Sequence, residues 1–198
     1  TFIKPPVIKE NPKRDITGYR YKNEDGSEGM HYGGDNKISL KGEKTKPHEM
    51  DVKNKEVILP SLCHVSAAHA VTLNGGKPIF VDVNKETLQI DLNLIENKIT
   101  KNTKALLIPN LIGNIPDWPK ISKIAKKYKL KIIEDSADTL GATIHDKPTG
   151  IYSDATITSF YGSHVISCAG NGGMLMLNSK KDYEKSKVLR SWGRLSST

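Results

Sequence analysis

Lys131-Ile132-Ile133-Glu134-Asp135-Ser136-Ala137-Asp138 decides the fold. A short apolar run that stops in carboxylates reads as a buried strand whose carboxyl end lies at the mouth of a sheet. By itself the run leaves the role of Asp135 open, because many α/β strands end in Asp for capping or metal binding. The residues before it narrow the reading. Trp118, Ile121, Ile124, Ala125 and Tyr128 fall on one helical face, with Lys120, Lys123, Lys126 and Lys127 mostly on the other. Ahead of that helix, Ala105-Leu106-Leu107-Ile108 is another buried strand. Strand, helix and strand joined by short connections make a parallel pair.

The alternation extends both ways. Upstream, Val57-Ile58-Leu59 is a strand, and Ser66–Leu73 is a helix of small residues ended by Asn74-Gly75-Gly76. Pro78–Val83 is the next strand, and Asp91 caps a helix carrying Leu94, Ile95 and Ile99. Downstream come strands over Ala155–Phe160 and Gly173–Leu177, the second expected to run antiparallel, and a charged helix from Lys180 to Arg190. The fold class is α/β, a mainly parallel sheet flanked by helices. Such sheets bind ligands beyond the carboxyl ends of their strands. Residues 1–55 have a different grammar: sparse apolar positions, mixed charge and recurrent Pro and Gly. They read as an irregular arm or loops, residues 56–194 as one domain, and residues 195–198 as a tail.

Bulk properties exclude more than they select. The net charge of +8 comes from lysines scattered among Glu, Asp and Asn, with no aromatic-studded basic stripe. It reads as a lysine-rich surface favourable to a diphosphate, not as a nucleic-acid footprint. No apolar run approaches a membrane span and no leader opens the chain, so a cytoplasmic protein is expected. Cys63 and Cys168 fit a reducing compartment and are too few for a disulfide framework.

Four patterns sit at strand ends. The first is the Glu134-Asp135-Ser136-Ala137-Asp138 terminus. In the second, Thr158-Ser159-Phe160-Tyr161-Gly162-Ser163-His164, followed by Cys168-Ala169-Gly170-Asn171-Gly172-Gly173-Met174, offers hydroxyls and backbone N–H groups suited to a phosphate, or simply a polar turn. The third, Leu62-Cys63-His64-Val65-Ser66-Ala67-Ala68, sets a ring at a helix start. The fourth, Val188-Leu189-Arg190-Ser191-Trp192-Gly193-Arg194, is a basic, aromatic helix end that a plain C-cap also explains.

In this order and spacing, over Glu56 to Arg194, these patterns resemble the DegT-like family of pyridoxal-phosphate nucleotide-sugar aminotransferases and dehydratases. The resemblance implies an incomplete large domain of the aspartate-aminotransferase type, a nucleotide-sugar substrate and a homodimer. The implied cofactor is pyridoxal 5'-phosphate or pyridoxamine 5'-phosphate. Asp135 matches the carboxylate paired with the pyridine nitrogen, which keeps the ring an electron sink. Ser159 matches a hydroxyl on the cofactor phosphate, and His64 stands where the family places an aromatic ring against the pyridine face. Asp138 replaces the Gln that aminotransferases carry near the cofactor hydroxyl, as in the dehydratase branch.

The decisive departure is His164. Aminotransferases of this family carry there the lysine that holds the cofactor as a Schiff base, which imidazole cannot do. The resemblance then points to the sugar 3-dehydratases, which have histidine at this place as a base and hold the cofactor noncovalently. Imidazole suits proton transfer near neutrality. Two distant cysteines cannot ligate an iron–sulfur cluster, so the cluster-free subgroup acting on a GDP-linked 4-keto-6-deoxy sugar is the nearer analogue. The family's upstream Gly-Ser/Thr-x-Ala phosphate-binding helix start has no equivalent in residues 1–55. A lysine-less noncatalytic homologue, a fragment or an aminotransferase homologue therefore stays open. The remaining rival is a peptidoglycan metallopeptidase motif in which His31 and Asp35 would ligate zinc, but it lacks the downstream His-x-His pair, and no metal site is expected.

Overall fold

The computed structural model describes residues 51–170 and 172–190. The arm over residues 1–50, with His31 and Asp35, and the Trp192-Gly193-Arg194 segment lie outside the described residues.

Chain order begins with β1 (Glu56–Pro60), α1 (Val65–Leu73), β2 (Lys77–Val81) and α2 (Leu92–Ile95). Next come β3 (Thr103–Pro109), α3 (Trp118–Tyr128), β4 (Lys131–Asp135) and a hairpin of β5 (Thr143–Ile144) and β6 (Lys147–Pro148). β7 (Ala155–Ser159), β8 (Gly173–Leu177) and α4 (Lys180–Arg190) complete the described chain. Among the described residues six strands form one sheet in the order β2-β1-β3-β4-β7-β8. All neighbours are parallel except β7 and β8. The expected mainly parallel sheet with one antiparallel strand is what forms.

Strand alternation divides the core into two layers. Ile58, Leu106, Ile108 and Ile132 face Trp118, Ile121 and Ala125 of α3, joined by Ile90 and Ile95. Val57, Leu59, Ala105 and Leu107 face Ala67 and Val71 of α1, with Ile133 packed against them. The same period carries past the apolar part of β4, sending Glu134 to the α3 side and Asp135 to the α1 side. Register then puts Asp135 between Pro109 of β3 and Ile157 of β7. No helix of the described residues is long and apolar enough to cross a membrane.

Three local expectations need correction. The Asp91-capped helix stops after one turn and tightens to a 3-10 turn over Glu96–Lys98. Ile99 is already extended, because the Thr103 hydroxyl accepts from the Thr100 N–H at 2.8 Å and opens the next loop. The strand after α1 starts at Lys77 and ends at Val81, leaving Val83 in a single bridge to Ile90. Residues 51–55, assigned to the arm, join the domain: Asn54 N donates to Gly75 O and Lys77 N to Lys55 O, both at 2.8 Å.

Candidate active site

At the carboxyl ends of β3, β4 and β7 lies a cleft of about 700 Å³. Pro109, Asn110 and Leu111 form one wall, Asp135, Ala137 and Asp138 the middle, and Ile157 and Ser159 the far side. The loop after β7 adds Tyr161, Ser163 and His164, and the start of α1 adds His64 and Ser66. Asp135, Asp138, His64, Ser159 and His164, read from separate stretches of sequence, thus line one cleft. A second, more open depression near Ser61, Phe80, Asp82 and Lys98 gathers no comparable set of titratable groups.

Asp135 ends β4 half-buried, its Oδ1 accepting from Ala137 N at 3.1 Å. Its carboxyl is pushed above the usual Asp range, mainly by burial. The Ala137 N–H opposes the rise, the Asp138 charge adds to it, and His64 and His164 pull it back. His64 is the N-cap of α1: its Nδ1 accepts from Ser66 N at 3.3 Å and lies 2.7 Å from Ser66 Oγ. Capping by an imidazole fixes the ring at the cleft rim, a local duty the sequence pattern did not show. Beside it, the Cys63 thiol is pushed up by burial and by the Asp135 charge, which lowers its thiolate fraction.

Ser159 Oγ accepts from Tyr161 N at 3.2 Å. With a lone pair so engaged, its hydroxyl hydrogen is directed elsewhere, available to an anion. His164 is held by its N–H to Tyr161 O at 2.9 Å and by an edge-on contact with the Tyr161 ring, centroids 5.6 Å apart. Its Nε2 stands 3.9 Å from Asp138 Oδ1, and its Nδ1 is buried without a hydrogen-bond partner among the described residues. Asp138 Oδ2 is anchored by Ile112 N at 3.2 Å. Ile112 delivers that N–H from a left-handed backbone, φ 57°, ψ 32°, with its side chain 74% exposed. A β-branched residue there is strained by roughly 1–3 kcal/mol, and such strain gathers at functional sites.

Sequence reasoning assigned nothing to Asn110, Leu111 or Ile112. The available signal was a polar residue directly after the Ala105–Ile108 strand, at the sheet end where ligands bind. Among the described residues no group of three or more His, Cys, Asp or Glu is placed to hold a metal ion.

A mainly parallel sheet flanked by helices, with carboxylates and imidazoles gathered at the carboxyl ends of its strands, defines the class as an α/β domain with its candidate site at that edge. The chain belongs to the DegT/DnrJ/EryC1/StrS aminotransferase family, which it matches over residues 44–198. It is 37% identical over 138 residues to the GDP-perosamine synthase of Caulobacter vibrioides, covering 70% of this chain and 37% of that protein. It is also 37% identical to the UDP-2-acetamido-2-deoxy-3-oxo-D-glucuronate aminotransferase of Pseudomonas aeruginosa, covering 70% of this chain and 38% of that one. Among solved structures, NtdA from Bacillus subtilis, crystallised with bound pyridoxamine phosphate, superposes with a TM-score of 0.65 at 34% identity. That match covers 69% of this chain and 31% of NtdA. The chain therefore spans between three-tenths and two-fifths of the length of these relatives.

Proposed function

We propose that this chain forms the cofactor-binding part of an enzyme that removes the 3-hydroxyl of a 4-keto-6-deoxy nucleotide sugar, with pyridoxamine or pyridoxal phosphate held noncovalently. The observation that carries the reading is the convergence of Asp135 and His164 on one cleft; the family resemblance puts the His164 imidazole in the place of the covalent lysine. The cleft residues fit the cofactor on three counts: a half-buried carboxylate for a protonated ring nitrogen, an imidazole face at the rim, and a hydroxyl hydrogen on Ser159 for the phosphate.

When bound, the cofactor supplies an amine for the sugar's keto group and a ring that withdraws electrons. Asp135 keeps the ring nitrogen protonated, and Ser159 orients the phosphate. Asp138, held by the Ile112 N–H, sets a carboxylate oxygen 3.9 Å from the His164 Nε2. His164, which lines the cleft, takes one proton and delivers it to the departing 3-hydroxyl, which leaves as water. Catalysis between two copies of the chain follows from the family resemblance and belongs to the same proposal.

Amine transfer to the keto sugar is the second reading, favoured by the names of the relatives above. The two separate in one incubation with pyridoxamine phosphate and a GDP-linked 4-keto-6-deoxy sugar, followed by mass spectrometry of the sugar. A product lacking the 3-hydroxyl, lost in His164→Asn, supports dehydration. An amino sugar with that hydroxyl intact supports transfer and ends the dehydratase reading.

A further inference from the structure

We infer that Glu134 is a positioning residue for Asp135, fixing from the opposite face of β4 the residues that flank the cleft carboxylate. The alternation that turns Asp135 to the cleft turns Glu134 into the core beside Trp118, where it is 0% exposed. A carboxylate is costly there unless donors meet it. Three do, all on Oε1: Thr149 Oγ1 at 2.5 Å, Ser136 Oγ at 2.8 Å and Asn110 Nδ2 at 3.0 Å. Asn110 Nδ2 also donates to Ser136 Oγ at 2.9 Å, while Asn110 Oδ1 accepts from Trp118 Nε1 at 2.9 Å.

Two of these three partners, Ser136 and Asn110, lead directly to Asp135. Ser136 is the next residue, its backbone pinned to β7 by Ser136 N to Ile157 O at 2.8 Å and by Thr158 Oγ1 to Ser136 O at 3.0 Å. Asn110 donates its backbone N–H to Asp135 O at 2.8 Å and itself lines the cleft. A single buried oxygen thus sets the position of the chain before the cleft wall and after the cleft carboxylate. The other oxygen, Oε2, is buried with no partner among the described residues. An apolar side chain of similar volume would leave the Thr149, Ser136 and Asn110 donors without their shared acceptor. The carboxyl ties Asn110, Ser136 and Thr149 together behind the mouth of the cleft.

The functional consequence rests on the proposed role of Asp135, but the positioning is testable without cofactor. Carboxyl ¹³C NMR of the full chain follows the titration of Asp135, which faces Asp138, His64, His164, Cys63 and the Ala137 N–H. Burial holds that carboxyl above its usual range, so loosening it toward water lowers the midpoint. Glu134→Met fills the space but accepts nothing, and a downward shift of the Asp135 midpoint is expected. Glu134→Gln keeps the accepting Oε1 and is expected to hold the wild-type midpoint. Ser136→Ala, a smaller change, should shift it partway and carries the test if the Met variant does not fold. A folded Glu134→Met or Ser136→Ala protein with the wild-type midpoint overturns the inference, as does Glu134→Gln shifting as far as Met. Pyridoxamine phosphate affinity, measured separately on the wild type, bears on the proposed function alone, because the midpoint is read in its absence.

Discussion

Asp135 holds its proton more tightly in the folded chain than an ordinary Asp does, and stability must follow. Burial is the leading cause, with Asp138 adding to it and the Ala137 N–H, His64 and His164 opposing. A carboxyl whose folded pKa lies above its unfolded one contributes stability that is complete below the unfolded value of about 3.9 and is lost as pH rises through the folded value. The cofactor-free chain therefore loses an increment of stability across that window. Asp135→Asn should remove the loss, so its urea midpoints should fall less than those of the wild type between those two pH values. Parallel curves for the two proteins would show that the carboxyl is not perturbed. An ionised Asp135 is thus a cost to the empty domain.

At the scale of elements, the sheet separates a packed centre from an open margin. Leu106 of β3 is 0% exposed, whereas Leu175 of β8 is 49% exposed. Leu106→Ala should cost about 2–5 kcal/mol in urea unfolding, because it leaves a cavity between two layers. Leu175→Ala should cost under about 1 kcal/mol, since its side chain has little to leave behind. Equal costs would mean that β8 is as deeply covered as β3 in solution. The sequence made the central strands legible because each is an apolar run bounded by polar or Gly residues, and α3 because its lysines and apolar residues alternate at helical period. It concealed the β5–β6 hairpin, whose strands are two residues long and whose turn places His145 and Asp146 at φ 51° and 59° without the usual Asn-Gly signal. The Asn110–Ile112 bend was equally hidden. Its shape depends on donors to Glu134 and Asp138 that lie 24 to 26 residues away, and a strained Ile carries no local signature.

Across the whole molecule, the five site residues chosen from sequence meet in one cleft because each stands at the same end of the sheet, where parallel strands all terminate. The family's order of motifs located those ends; what it did not convey is their support, the Glu134 network behind and the Ile112 clamp beside. The central claim, a vitamin B6 phosphate held by Asp135 without a covalent lysine, is tested most directly by titrating pyridoxamine phosphate into the wild-type protein, Asp135→Ala and His164→Asn, following cofactor fluorescence. Saturable binding is predicted for the wild type, retained in His164→Asn, and weakened about tenfold or more in Asp135→Ala through loss of a charge-assisted hydrogen bond. Absence of saturable binding to the wild type, or equal affinity in folded Asp135→Ala, would contradict it.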